Sequence, residues 1–288
     1  MQIAECELSN LELQIFSFGF EIPQSEFPAC GRQASSEIKE MNRYSVGSIL
    51  GILFLWELLV RWLEIPKFLL PTPTTIISYI IAKIELLASH TLMTFLEAGA
   101  GFVIGSLSAI ITAILFLWYR PLKEMFYPYA VILNSTPIVA IAAPIVIIFG
   151  SGMGSKVVTA VICVFFPVLG PTFKALASVG ATEMKWMDSY HSSRWQKFWY
   201  LQFPFALPQV FASFKVAWTL AVIGAVVGEV FGAYRGLGFL IVDAIYIMDT
   251  PRVFASIIAC SLLGLSFIGM ITLIEKKTIA WHISEERR

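Results

Sequence analysis

Apolar residues in this chain fall in long blocks rather than in alternation. Beyond Met41, six blocks of helix length follow one another, at about 45–63, 92–118, 127–149, 157–173, 207–231 and 255–275, each bounded by charge, Pro or Gly. A helix needs roughly 20 residues to cross a hydrocarbon layer of ~30 Å. The pattern therefore predicts an all-α membrane protein with about six spans. A weaker block at 74–89 carries Lys83 and Glu85 and reads as an amphipathic interfacial helix, with a seventh span as the alternative.

Composition agrees with this. Of 288 residues 57% are hydrophobic and 14% charged, and the mean hydropathy of +0.76 excludes an ordinary soluble enzyme. The formal charge is zero, so nothing points to nucleic acid. That balance hides an acidic leader: residues 1–40 hold seven Glu against Arg32 and Lys39. The leader has no basic start and no clean apolar run before a cleavage site, so it does not read as a signal peptide. It is expected to be either a loosely ordered cytoplasmic extension or sequence upstream of a natural start at Met41. Cys6, Cys30, Cys163 and Cys260 lie apart, without metal or disulfide spacing. No metal and no cofactor is expected.

Orientation follows from Lys and Arg. With the N-terminus inside, the cytoplasmic segments carry 13 of the 20 basic residues, including Arg120, Lys123, Lys174, Lys185, Arg194 and Lys197. The opposite side carries five: Lys67, Lys83, Lys156, Arg235 and Arg252. Both termini are then cytoplasmic.

Gly224, Gly228, Gly232 and Gly236 recur every fourth residue, as do Gly101 with Gly105 and Gly150 with Gly154. On a helix this spacing makes a flat ridge that another backbone can approach. Among ionisable residues, Glu57 and Arg61 are four apart and can pair, and Lys215 can snorkel to the cytoplasmic interface. Glu97 and Glu229 fall near the outer ends of their spans. One reading gives them interfacial pairing; the other puts them at the mouth of a pathway. Pro137 and Pro144 break the third block, and Pro167 and Pro171 the fourth. Asn134, Ser135 and Thr136 thus stand at a bend inside the membrane, either lining a path or bonding neighbouring helices.

Between the fourth and fifth blocks, residues 174–206 are too long for a simple turn. A helix is predicted over about 183–203, stopped by Pro204 and Pro208. It sets Tyr190, His191, Trp195, Phe198 and Trp199 on one side, with Lys185, Asp188, Arg194 and Lys197 around them. Such an aromatic helix needs a partner, either the protein's own membrane-facing surface or a groove on another protein.

From about Ser45 to Trp281 the chain resembles the permease subunits of bacterial ABC importers in the nitrate/sulfonate/taurine branch. The resemblance rests on Trp56–Arg61 with Ile65-Pro66 and Leu70–Pro73; on Pro137, Ala140, Ala142-Ala143-Pro144, Phe149-Gly150 and Lys156; and on Phe165-Phe166-Pro167. It continues through Arg194-Trp195-Gln196, Leu201–Pro204 and Ala206–Pro208 to Glu229 with Gly236-Leu237-Gly238. One feature departs from the pattern. The superfamily's coupling loop carries an E-A-A-x-x-x-G signature, and here its positions hold Lys185, Trp186, Met187 and, in place of the glycine, His191.

The resemblance implies a type I importer permease fold with a cytoplasmic coupling helix, and alternating access driven by ATPase subunits that close on ATP. It makes Lys185, Asp188, His191, Arg194, Trp195, Phe198 and Pro204 the coupling residues, with Pro204–Pro208 as a stiff elbow. It also implies an extracytoplasmic binding protein and a second permease chain. No Gly-Lys nucleotide motif occurs in this chain, so ATP hydrolysis belongs to a separate one. The run Thr219–Glu229 is similar to members that move thiamine-precursor pyrimidines or riboflavin; aliphatic sulfonate, taurine and nitrate are the other substrates implied. A stand-alone secondary carrier is the competing class. It predicts charged sites at mid-membrane and an internal repeat, and no repeat is visible in the sequence.

Overall fold

The computed structural model describes residues 33–278, and those residues are helical with no strand among them. Residues 1–32 of the acidic leader, with Cys6 and Cys30, and residues 279–288, with His282, lie outside the described part. Among the described residues two compact units emerge, one of residues 33–66 with 72–74, the other of 67–71 with 75–278.

In the first unit, α1 (Gln33–Trp62) contains the first apolar block. The expected Glu57–Arg61 pair is present at 2.5 Å. Glu57 also accepts from the Thr74 backbone N–H at 3.1 Å and the Thr74 hydroxyl at 2.8 Å.

Helix α2 (Pro73–Ala82) belongs to the second unit from Thr75 onward and is followed there by α3 (Ile84–Trp118). The single amphipathic helix expected over 74–89 is thus two pieces. Lys83 leaves helical geometry, and residues 84–89 form the first turns of α3, with Glu85 complementing the positive end of its dipole. Next come α4 (Arg120–Ser135) and α5 (Ile138–Phe149). The third block, expected as one kinked span, is this pair, bent by 101°. Pro137 lacks an N–H and drives Thr136 into extended geometry (φ −81°, ψ 129°), so the helix cannot continue across the junction. The remaining elements are α6 (Met153–Ala177), α7 (Ala181–Ser189), α8 (Arg194–Lys197), α9 (Phe203–Val230), α10 (Leu237–Tyr246) and α11 (Thr250–Thr278). Among the described residues, four helical stretches are long and apolar enough to cross a membrane alone, and the bent pair brings the number to five.

The centre of this unit is α6, clasped between α3 and α9. Two glycines on each flanking helix set the approach. A Cβ at Gly101 would fall 2.3 Å from the Cβ of Ala160, and one at Gly105 2.9 Å from that of Val164. From the other side, a Cβ at Gly224 would fall 2.8 Å from the Ala160 Cα, and one at Gly228 3.1 Å from the Lys156 Cα. Backbones this close gain dispersion contacts that lipid tails cannot offer. The other expected ridge positions differ. Gly232 lies in the turn beyond α9, Gly236 has φ +114° in the loop before α10, Gly150 ends α5 at φ +76°, and Gly154 faces open space. Helix α11 closes on α9 through Trp218, which is stacked 3.9 Å from Phe267 and donates its indole N–H to the Leu263 carbonyl at 3.2 Å. Lys215 does not rely on snorkelling alone, since Glu275 of α11 pairs with it at 2.6 Å.

Candidate functional site

The segment expected as one helix over 183–203 is a helix–turn–helix. Helix α7 stops at Ser189, and the chain turns through Tyr190–Ser193 before α8 begins. Ser193 and Gln196 form a reciprocal capping box that starts the new helix, and Asp188 pairs with Lys197 across the turn. His191 occupies left-handed backbone at φ +52°, its N–H donating to the Asp188 carbonyl at 2.9 Å. That is the position aligned with the signature glycine, and left-handed geometry is what a glycine supplies without strain. His191→Gly is expected to raise the melting temperature of the purified chain, with relief on the order of 1 kcal/mol; His191→Val should lower it. Equal melting of all three would remove the strain from the account.

Pro204 and Pro208 do not stop the helix. A π-helical turn, Phe198–Gln202, precedes Pro204, and the Phe203 N–H bonds back to the Phe198 carbonyl. This wider turn makes room where the proline ring would otherwise meet the preceding carbonyls, and α9 continues through Pro208. The aromatic residues also divide. Phe198, 2% exposed, is the floor of the segment rather than part of its surface. It packs edge-on to Trp118 at the end of α3, and Trp118 also meets Trp195 at 5.2 Å. Trp195 and Trp199 remain 56% and 48% exposed. Lys185 and Arg194 are exposed beside them, while Tyr190 and His191 belong to the turn rather than to a helix face.

A second assembly lies at the opposite end of α3. Glu97 and Glu229, expected near the lipid interface or at a pathway mouth, are 2% and 1% exposed, held between helices of this one chain. Glu229 accepts from the Thr94 hydroxyl at 2.7 Å and from the Gly238 N–H at 2.6 Å, and its carboxyl lies within hydrogen-bonding reach of Glu97. Lys156, 1% exposed, donates to the carbonyls of Ser151 at 2.6 Å and Gly232 at 2.8 Å and lies within electrostatic range of both glutamates. The charge distribution counts it only among the basic residues on the side opposite the cytoplasm, and nothing local signals its burial. Asn134, Ser135 and Thr136 are elsewhere, exposed at the α4–α5 break, with the two hydroxyls bonded back to the carbonyls of Val131 and Ile132. Among the described residues no cluster of metal-ligating side chains occurs.

Apolar helices of membrane-spanning length around a glycine-packed core, with one sharply broken pair, define a polytopic α-helical membrane protein. The chain belongs to the family of binding-protein-dependent transport system inner membrane components, whose family model matches residues 101–280. It is similar to a probable ABC transporter permease of Haemophilus influenzae (32% identity, covering 73% of this chain and 86% of the relative). The riboflavin transport system permease of Chloroflexus aurantiacus is 30% identical, over 82% and 89% of the two chains. The formylaminopyrimidine transport permease of Halalkalibacterium halodurans is 31% identical, over 81% and 93%. The protein is therefore a multi-pass ABC importer permease of the inner membrane. Such permeases are transport subunits rather than enzymes, and family membership implies an ATP-binding subunit and a substrate-binding protein as partners.

Proposed function

We propose that this permease imports a small heterocyclic nutrient, of the thiamine-precursor pyrimidine or riboflavin kind, by alternating access. Two copies form the translocation path, and both termini and the α7–α9 junction face the cytoplasm, as the Lys and Arg distribution favours. The observation that carries the coupling role is the pair of half-exposed indoles, Trp195 and Trp199, on a floor formed by Phe198 and Trp118. Rigid aromatic side chains with their bases packed are suited to anchor in a groove on another protein. The cytoplasmic ATPase provides that groove, and its closure moves the segment together with α3 and α9. The exposed polar groups at the bend, Asn134, Ser135 and Thr136, line that path. For the substrate, support comes from relatives named for riboflavin and formylaminopyrimidine transport; aliphatic sulfonates and taurine are the competing substrates.

Trp195→Asp and Trp199→Asp are expected to abolish co-purification of the ATPase in mild detergent while leaving the chain monodisperse. Undiminished co-purification would dismiss the segment as the docking site. In proteoliposomes holding permease, ATPase and binding protein, ATP-dependent uptake of riboflavin or formylaminopyrimidine is expected; uptake of taurine alone would overturn the substrate assignment.

A further inference from the structure

The first turn of α10 is capped entirely by side chains from other helices. Three consecutive backbone N–H groups donate outward: Gly236 to Nδ1 of His90 at 3.0 Å, Leu237 to the Thr94 hydroxyl at 2.8 Å, and Gly238 to the Glu229 carboxylate at 2.6 Å. His90 and Thr94 belong to α3 and Glu229 to α9, so these bonds fix α10 to both. The loop is shaped for this. Gly236 has φ +114°, and a Cβ there would fall 2.1 Å from the Glu229 carboxylate. Of the three acceptors, only the imidazole must lose its accepting lone pair when it takes up a proton.

We propose that His90 is a proton-gated positioning residue, holding α10 against α3 when neutral and releasing the Gly236 N–H when protonated. The geometry for both states is present, because the same Nδ1 lies 3.0 Å from the Gly236 nitrogen and 3.1 Å from the Gly236 carbonyl oxygen. A neutral ring with its proton on Nε2 accepts from the N–H. A protonated ring cannot, and its Nδ1–H turns to the carbonyl instead, leaving the α10 amide without a partner. One proton therefore exchanges one bond for the other.

The ring is half-buried, within reach of solvent, and stacked on Phe239 of α10 at 6.0 Å with 10° between planes. The charged groups facing it are Arg235 of the loop, Asp243 of α10 and Arg252 of α11, with Asp243 and Arg252 paired to each other at 2.7 Å. Tyr79 of α2 and Asp249 meet Arg252 behind that pair. Glu229 of α9, with Lys156 of α6, lies on the far side of Thr94. In the orientation proposed above, this end of α3 faces out of the cell and the cap reads external pH. The bonds themselves, and their test, do not depend on that orientation.

The test is amide hydrogen exchange of the full-length chain in detergent, read by mass spectrometry on a peptide spanning residues 232–240. Rates are normalised to an unstructured peptide at each pH. Protection of the wild type is expected to fall about three- to tenfold, the worth of one net hydrogen bond, between about pH 8 and pH 5, where imidazole titrates. In His90→Gln, which keeps an acceptor but cannot titrate, protection should be flat across that range. A flat wild-type profile, or an equal fall in the variant, would overturn the proposal. Nitrogen-15 histidine spectra of the wild type test it without any change at His90, with signals assigned from variants at His191 and His282. At pH 8 the Nδ1 of His90 should be bare, and a proton on it would equally overturn the inference.

Discussion

Gly224→Leu is expected to give a chain that cannot be recovered as a monodisperse species. The position offers no room: even a Cβ would lie 2.8 Å from the Ala160 Cα, 3.0 Å from the Cys163 sulfur and 3.1 Å from the Thr159 carbonyl oxygen. Two of these contacts are backbone, so no rotamer change relieves them, and a leucine must drive α6 and α9 apart. Overpacking a dense interior commonly costs about 1–3 kcal/mol. Here it strikes the helix that holds both α3 and α9, so the loss belongs at the top of that range or above it. Gly154→Ala is the control. Nothing approaches that position within 4 Å, and alanine in a helix is favoured over glycine by roughly 0.5–1 kcal/mol. Size-exclusion profiles and thermal melts of both variants decide the matter. A well-behaved Gly224→Leu chain would contradict the close packing at this contact.

Lys156→Met carries the second large effect. The ammonium donates to the carbonyl of Ser151, just before α6, and to that of Gly232, in the turn after α9, and faces two buried carboxyls; none of these gains a new donor when it is removed. Deleting one partner of a buried charged group costs about 3–5 kcal/mol, because the remaining charge stays out of water. The melting temperature should fall sharply. Combining Lys156→Met with Glu229→Gln should recover part of the loss by removing a charge left without its counter-ion. A single variant as stable as the parent, or a double variant less stable than the lysine change alone, would refute this account.

The two effects differ in how far the sequence announces them. Gly101, Gly105, Gly224 and Gly228 are visible because helical periodicity alone sets residues four apart on one face. The same inference fails for Gly232 and Gly236, since nothing in a four-residue spacing says where a helix ends. Helix α9 ends at Val230, before either of them. Lys156 is illegible for a related reason. Its carbonyl partners at Ser151 and Gly232 meet only when the loop before α6 and the turn after α9 converge, so composition around the lysine cannot separate a solvated cation from a buried one. The break in the aromatic segment was written locally, in Ser193 and Gln196, but a helical reading of its aromatic spacing outweighs that cap. Pro204 looks like a terminator because the π-helical turn that accommodates it has no sequence signature of its own.

Helix α3 is held firmly at both extremities, by Trp118 against Trp195 and Phe198 at one and by His90 and Thr94 beneath α10 at the other. From Thr94 to Trp118 it runs unbroken for about 36 Å at 1.5 Å per residue. Proline is absent from this stretch, so no residue in it removes a bond from the helical ladder. In the coupling role proposed above, a displacement of the indole end is carried along α3 as one stroke to the joint beneath α10. A proline placed midway would shorten that stroke without touching either joint.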